Sequence, residues 1–187
     1  MIVGGGQAGA QAVQTLRKNK FDGKITLIGE EPYPPYQRPP LSKKYLAGEL
    51  ERDRLFLRPL AFYEKNQVDL QLGTRATLLD PEAAQVTLED GRVLRYDGLL
   101  LATGSRVRRL EVPGADLNGI HYVRTVADVG RSTRSGSSER SRKTTSMVRP
   151  SLRGMSRQAA STMCMRGLVR LRVVRRGGGG RKIPVTS

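Results

Sequence analysis

Residues 1–31 read MIVGGGQAGAQAVQTLRKNKFDGKITLIGEE, and the reading of this stretch decides the fold. Ile2 and Val3 are β-branched and end a short buried strand, and Gly4, Gly5 and Gly6 supply a turn. From Gln7 to Lys18, Ala8, Ala12, Val13 and Leu16 recur at near-helical spacing. Asp22-Gly23 ends that helix, and Ile25-Thr26-Leu27-Ile28 is a second strand. Strand, helix and parallel strand within about 30 residues make a βαβ unit with a right-handed crossover.

Outward from this unit the chain stays readable as far as residue 130. Pro32-Tyr33-Pro34-Pro35-Tyr36-Gln37-Arg38-Pro39-Pro40 must be an extended loop, because each proline removes a donor and restrains its predecessor. Short helices are expected over Leu41–Leu46, with Ser42 near its start, and over Leu60–Asn66. Val68, Leu70 and Leu72 alternate with polar residues as a half-buried strand does. Gln85–Leu88 and Arg92–Tyr96 flank Asp90-Gly91, a hairpin signal. Leu99-Leu100-Leu101-Ala102 then reads as a buried return strand ending at Thr103-Gly104. The expected fold class is α/β, a Rossmann-type doubly wound domain that is incomplete within this chain.

Composition divides the 187 residues in two. Residues 1–130 carry 18 basic and 16 acidic side chains, whereas residues 131–187 carry 15 and one, Glu139. All nine aromatic residues lie in the first part. The tail is rich in Arg, Ser, Thr and Gly, with too little apolar surface to offset an ordering cost of about 1–2 kcal/mol per residue. Disorder or only marginal local structure is expected over 131–187. One cysteine, Cys164, allows no internal disulfide or thiolate cluster, and one histidine, His121, leaves no histidine-rich metal site. No apolar run approaches the roughly 20 residues of a membrane span. Met1-Ile2-Val3 runs straight into glycines without a basic n-region, so no secretory signal is expected and a cytoplasmic setting is.

Gly4-x-Gly6-x-x-Gly9 fits the dinucleotide fingerprint. Gly4 permits the tight turn, Gly6 lets backbone approach a diphosphate, and Gly9 allows close helix–strand packing. The helix beginning there aims unpaired N–H groups and its positive dipole end at the phosphates. Glu30, at the end of the next strand, can accept ribose hydroxyls. In a chain with 21 glycines the pattern alone is weak, and its weight comes from the strand before it and the helix after it.

GGGQAG at 4–9, LIGEE at 27–31, PYQRPPLSKKYLAG at 35–48, LLLATGSR at 99–106 and YVRT at 122–125 occur in order. Together they make residues 1–130 closely resemble the FAD-binding segment of the ferredoxin-, rubredoxin- and putidaredoxin-reductase family. The resemblance implies a flavoprotein in which hydride passes from NAD(P)H to flavin N5 and single electrons leave to an iron–sulfur partner. It implies that Ala8 sits small beside the diphosphate, that Glu30 holds the adenosine ribose and that Ala76 lies by the adenine. It places Arg38 and Lys43 around the Pro-Pro-Leu-Ser corner, with Lys43 the catalytic residue near N5. Thr103 and Gly104 are implied at the cofactor from the return strand, and Arg124 from the YVRT segment. Without the motif, Lys43 and Arg124 read as surface charges, and Tyr33 and Tyr36 as packing on a proline loop. Ser42 reads as a helix cap rather than a nucleophile because no base is placed to activate it, and His121 reads as structural.

The chain departs from that family in two ways. Its first strand is clipped to Met1-Ile2-Val3, and no second GxGxxG preceded by a buried strand follows Gly130, where the family places an NAD(P)H domain. Two other readings therefore stay open. The basic tail could bind nucleic acid by counterion release, although it lacks aromatics for stacking and any recognition fold. Or the chain is a truncated, non-functional product. Arg, Gly, Ser and Pro rise together after Gly130, as they would in a shifted frame of GC-rich DNA. Sequencing the coding DNA checks this: another frame downstream of codon 130 should read as a second glycine-motif domain, and its absence sinks the idea.

Overall fold

The computed structural model describes residues 1–109, 111–113, 115, 117, 120–131, 172–175 and 183–185. Strand β1 (Ile2–Val3) feeds helix α1 (Gln7–Lys18), and β2 (Ile25–Gly29) returns parallel beside β1, pairing Ile2 with Leu27 and Val3 with Ile28. Helix α2 (Leu60–Lys65) leads to β3 (Val68–Leu72), parallel to β2. Strands β4 (Ala76–Asp80), β5 (Gln85–Leu88) and β6 (Val93–Arg95) form an antiparallel meander, and β7 (Gly98–Leu101) goes back beside β1. The parallel order is thus β3-β2-β1-β7, the doubly wound arrangement the βαβ reading required.

Strand period 2 explains how one thin sheet serves two cores. Ile2 and Leu27 face one way, packing with Ile25, Val13 of α1 and Tyr63 of α2. Val3, Ile28 and Leu99 face the other way and pack on Leu79, Val86, Leu88 and Tyr96 of the meander. Burying each of these larger apolar side chains is worth about 1.5–3 kcal/mol. A third cluster joins Tyr36 of the proline loop, Leu41 just after it and Leu55 of a 3-10 turn over Arg52–Leu55 to Val126 and Val129 of a helical segment at 126–131.

Two local expectations need correcting. The helix expected over Leu41–Leu46 is instead a 3-10 turn over Pro39–Ser42, and Ser42 ends it rather than capping its start. Pro39 and Pro40 suit a first turn because their missing N–H groups would be unpaired there, while the backbone at Lys43 (φ −128°, ψ −113°) leaves helical space. The tail also contributes more than its composition suggests. Strand β8 (Arg172–Arg175) pairs antiparallel with β7, and β9 (Ile183–Pro184) pairs antiparallel with β4. An open sheet edge offers unpaired backbone groups, so short segments can be ordered there without a core of their own. The rest of the expected disordered tail, Cys164 and the run Gly177–Gly180 included, lies outside the described residues. Among the described residues no helix is long and apolar enough to cross a membrane.

The end of α1 is fastened by one side chain. Arg17 donates to the carbonyl oxygens of Phe21 and Gly23 in its own loop, at 2.6 and 2.9 Å, and of Asn66 and Gln67 across the sheet's flank, at 2.8 and 3.2 Å. Only a planar guanidinium reaches four acceptors in this fork. Arg17→Lys should therefore lower stability by about 1–2 kcal/mol, read as a lower urea midpoint at unchanged slope. A lysine variant as stable as the parent would show that the fork is dispensable.

Candidate dinucleotide-binding cleft

A cleft of about 520 Å³ opens where β1, β2 and β7 end, within the range of pre-formed ligand sites. Its position follows from topology: β2 and β3 lie to one side of β1 and β7 to the other, which opens a crevice at the carboxyl ends of the strands. The glycines make the crevice possible. Gly4 has φ +127°, and a Cβ there would stand 2.1 Å from the Ala102 carbonyl oxygen. A Cβ on Gly9, buried in α1, would stand 2.1 Å from the Gly4 carbonyl oxygen. Gly6 is different, because a Cβ there would meet nothing within 4 Å. Its backbone faces open space in the cleft.

Helix α1 begins at this opening with Gly6 as its N-cap, no side-chain cap and no acid in its first turn. Its first N–H groups are therefore left for an external acceptor. Ala8, the second residue of α1, lines the cleft. Glu30, exposed at the end of β2, lines the opposite side with Glu31, and among the described residues Glu30 has no ion pair. Ala76, Thr103, Gly104, Arg38 and Arg124 complete the expected set along the walls. Gly9 lies below the surface, where its part is packing. Lys43 does not join them: it is exposed at the end of the 3-10 turn and does not line the cleft. The corner RPPLSK thus contributes Arg38 to the lining and leaves Lys43 exposed outside it.

Arg38 is held rigidly. Its guanidinium donates to Glu31 Oε1 at 2.8 Å and to the Arg124 carbonyl oxygen at 2.6 Å, and lies 5.2 Å from the centre of the Tyr36 ring. Tyr36 donates its hydroxyl to the other oxygen of Glu31 and accepts the Val126 N–H at 3.3 Å. Burial first, then the bond to Glu31, holds the Tyr36 hydroxyl well above its ordinary pKa, so it stays a donor. Glu31 is the residue that sequence reasoning missed. The signal was the second acid of LIGEE, but nothing local shows that it ties the loop rather than the ligand.

Arg124 reaches the cleft through a capping box, T-x-x-D at Thr125–Asp128. Asp128 Oδ2 accepts the N–H groups of Arg124 and Thr125, at 3.1 and 2.8 Å, and the Thr125 hydroxyl accepts the Asp128 N–H at 3.3 Å. Burial, then the neighbouring Arg38 charge, pulls the Arg124 guanidinium below its usual pKa, with Glu31 opposing. With Arg75 and Arg106 also on the walls, guanidinium groups outnumber the carboxylates Glu30 and Glu31. Such a wall, together with uncapped helix N–H groups and open Gly6 backbone, fits a diphosphate flanked by hydroxyl-bearing sugar.

The Asp128 cap makes a pH-dependent contribution. Partial burial pushes this carboxyl up, but the bonds from Thr125 N–H and hydroxyl and from Arg124 N–H outweigh it and leave the pKa below its ordinary value. Its stabilisation is thus present above the unfolded-state pKa of about 3.9 and lost as pH falls through the lower folded value. The stability gap between the parent and Asp128→Asn should be constant from neutral pH down to about 5 and shrink below about 4. Urea melts across that range check it, and a gap that widens on acidification would contradict it.

Comparison with known proteins agrees with this geometry. The family model described as pyridine nucleotide-disulphide oxidoreductase matches residues 1–145. Rhodocoxin reductase of Rhodococcus erythropolis is 47% identical over 128 residues, covering 68% of this chain and 30% of its own. A ferredoxin–NAD(P)(+) reductase of Sphingomonas sp is 46% identical over 128 residues, covering 68% and 31%. Among solved structures, the covalent putidaredoxin reductase–putidaredoxin complex superposes with a TM-score of 0.65 at 39% identity, over 72% of this chain and 33% of that one. The chain spans about a third of the length of the proteins it matches. On this match over residues 1–145, the chain belongs to the pyridine nucleotide-disulphide oxidoreductase family.

Proposed function

We propose that this chain is the amino-terminal, FAD-holding part of an NAD(P)H-dependent reductase that passes electrons to a ferredoxin- or rubredoxin-type iron–sulfur protein. One observation carries the reading: the uncapped start of α1, the bare Gly6 backbone and the carboxylate of Glu30 all line one cleft. When bound, FAD supplies the junction between two-electron chemistry with a nicotinamide and one-electron chemistry with an iron–sulfur centre. The residues here do the binding. The α1 N–H groups and Gly6 take the diphosphate, Glu30 accepts from the adenosine ribose, and Ala76 leaves room for the adenine. Arg38 and Arg124, fixed by Glu31 and the Thr125–Asp128 cap, supply positive charge without needing to reorganise.

Two similar solved structures are a putidaredoxin reductase–putidaredoxin complex and an NADH:rubredoxin oxidoreductase from Clostridium acetobutylicum. An acceptor of that class is our reading for the whole reductase of which this chain covers a part, in a reducing, cytoplasmic setting suited to its single cysteine. The domain boundary is placed near Gly130, where the charge balance changes. No second glycine fingerprint lies in the 187 residues, so hydride transfer from NAD(P)H is not assigned to this chain by itself.

Two glycine variants separate binding from folding. Gly6→Ala adds a methyl to open space and should lower the melting temperature only by the small cost of alanine at an N-cap, while weakening ADP and FAD binding by about tenfold or more. Gly9→Ala forces a methyl against the Gly4 carbonyl and should lower the melting temperature itself. Calorimetric titration with ADP and FAD, beside thermal melts, reads both. The chain purified alone should carry well under one FAD and not oxidise NADH. Stoichiometric flavin with NADH turnover would overturn the division of labour, and no ADP binding at all would overturn the site.

A further inference from the structure

One residue of the cleft lies outside everything the family comparison covers. The family match ends at residue 145, yet Val185 lines the cleft, and among the described residues it is the one lining residue that follows Thr125. Strand β9 carries it there. Ile183 registers with Leu79 and Pro184 with Leu78, and the Val185 N–H then donates to the Thr77 carbonyl oxygen at 2.9 Å. Val185 is half-buried and packs against the cluster that contains Val3, Ile28 and Ala76, residues that also line the cleft. Proline is tolerated in β9 because the strand is at the sheet edge.

A wall and a plug make opposite predictions, and the volume chooses between them. With Val185 in place the cleft still measures about 520 Å³. Val185 is therefore a wall residue of a cleft that stays open. Its side chain offers no hydrogen bond and no charge, and with Val3, Ile28 and Ala76 it makes an apolar part of a lining that elsewhere carries guanidinium groups and carboxylates. Only an apolar, flat portion of a ligand gains from such a surface.

The geometry points to Val185 as a binding residue of the cleft, its isopropyl group covering the purine base of an adenine nucleotide. This rests on the nucleotide reading of the cleft given above. It adds that the carboxy-terminal strand is part of the site, so that binding and the pairing of β9 with β4 support one another.

The test uses the full chain with ADP and with inorganic pyrophosphate as probes. Val185→Ala should weaken ADP binding about fivefold and leave pyrophosphate binding unchanged, because the valine acts on the base and not on the phosphates. Ile183→Val, which keeps a β-branched residue on the same strand outside the cleft, should change neither. In the unmutated protein, methyl NMR keeps the question open to refutation even if a variant folds poorly: the Val185 methyl signals should move on adding ADP and stay still on adding pyrophosphate. Unchanged ADP affinity in Val185→Ala, or tighter binding from removal of an obstruction, overturns the inference, as do unmoved Val185 methyls in a protein that binds ADP. A parent chain that binds neither probe instead overturns the reading of the cleft on which the inference rests.

Discussion

Gly9 of α1 lies so close to the chain leaving β1 that a single methyl group on it would overlap the Gly4 carbonyl oxygen. Gly4 in turn lies against the Ala102 carbonyl at the end of β7. Helix, first strand and return strand are therefore locked at distances that only hydrogen-bearing α-carbons permit. Everything that follows depends on this contact. It aims the start of α1 at the ends of β1, β2 and β7, and it leaves the Gly6 backbone as the bare floor between them. Larger residues would have to push the helix outward, and the crevice would lose its shape before any ligand chemistry mattered.

The second constraint is electrostatic and acts over long sequence distances. Glu31 holds Tyr36 and Arg38, and Arg38 holds the backbone at Arg124, 86 residues further on. Burial first, and then the like charge of Arg38, lowers the Arg124 pKa, and Glu31 is the counter-charge that makes the proximity of the two guanidinium groups tolerable. Partly buried like charges of this kind are costly in a protein that binds nothing there, and useful in one that receives an anion. The apolar cluster of Tyr36, Leu41, Leu55, Val126 and Val129 supports the arrangement from beneath.

Sheet edges explain the behaviour of the tail better than its composition does. The pieces RVVR and IPV are too short to make a core, yet each finds an edge with unsatisfied backbone groups, at β7 and at β4. Average hydrophobicity over 57 residues misses such segments, because three or four suitably placed residues are enough when the partner strand is already built. The same averaging hides Val185, which carries no motif and follows a stretch of arginine and glycine.

Local pattern alone established the βαβ unit, the meander hairpin at Asp90-Gly91, the return strand and the glycine elbow. It also picked out Gly4, Gly6, Gly9 and Glu30, because strand ends and tight turns are local properties of the chain, whereas Ala8, Ala76, Thr103 and Gly104 came only with the family resemblance. Tertiary structure decided the rest. Val68–Leu72, whose alternation says only that it is a half-buried strand, joins the parallel sheet beside β2. The RPPLSK corner is one turn of 3-10 helix that sends Arg38 inward and leaves Lys43 exposed, a choice made by packing on Val126 and Val129 rather than by the motif. Glu31 and Val185 belong to the cleft because distant segments fold onto it, and contacts between distant segments leave no periodicity for a single sequence to display.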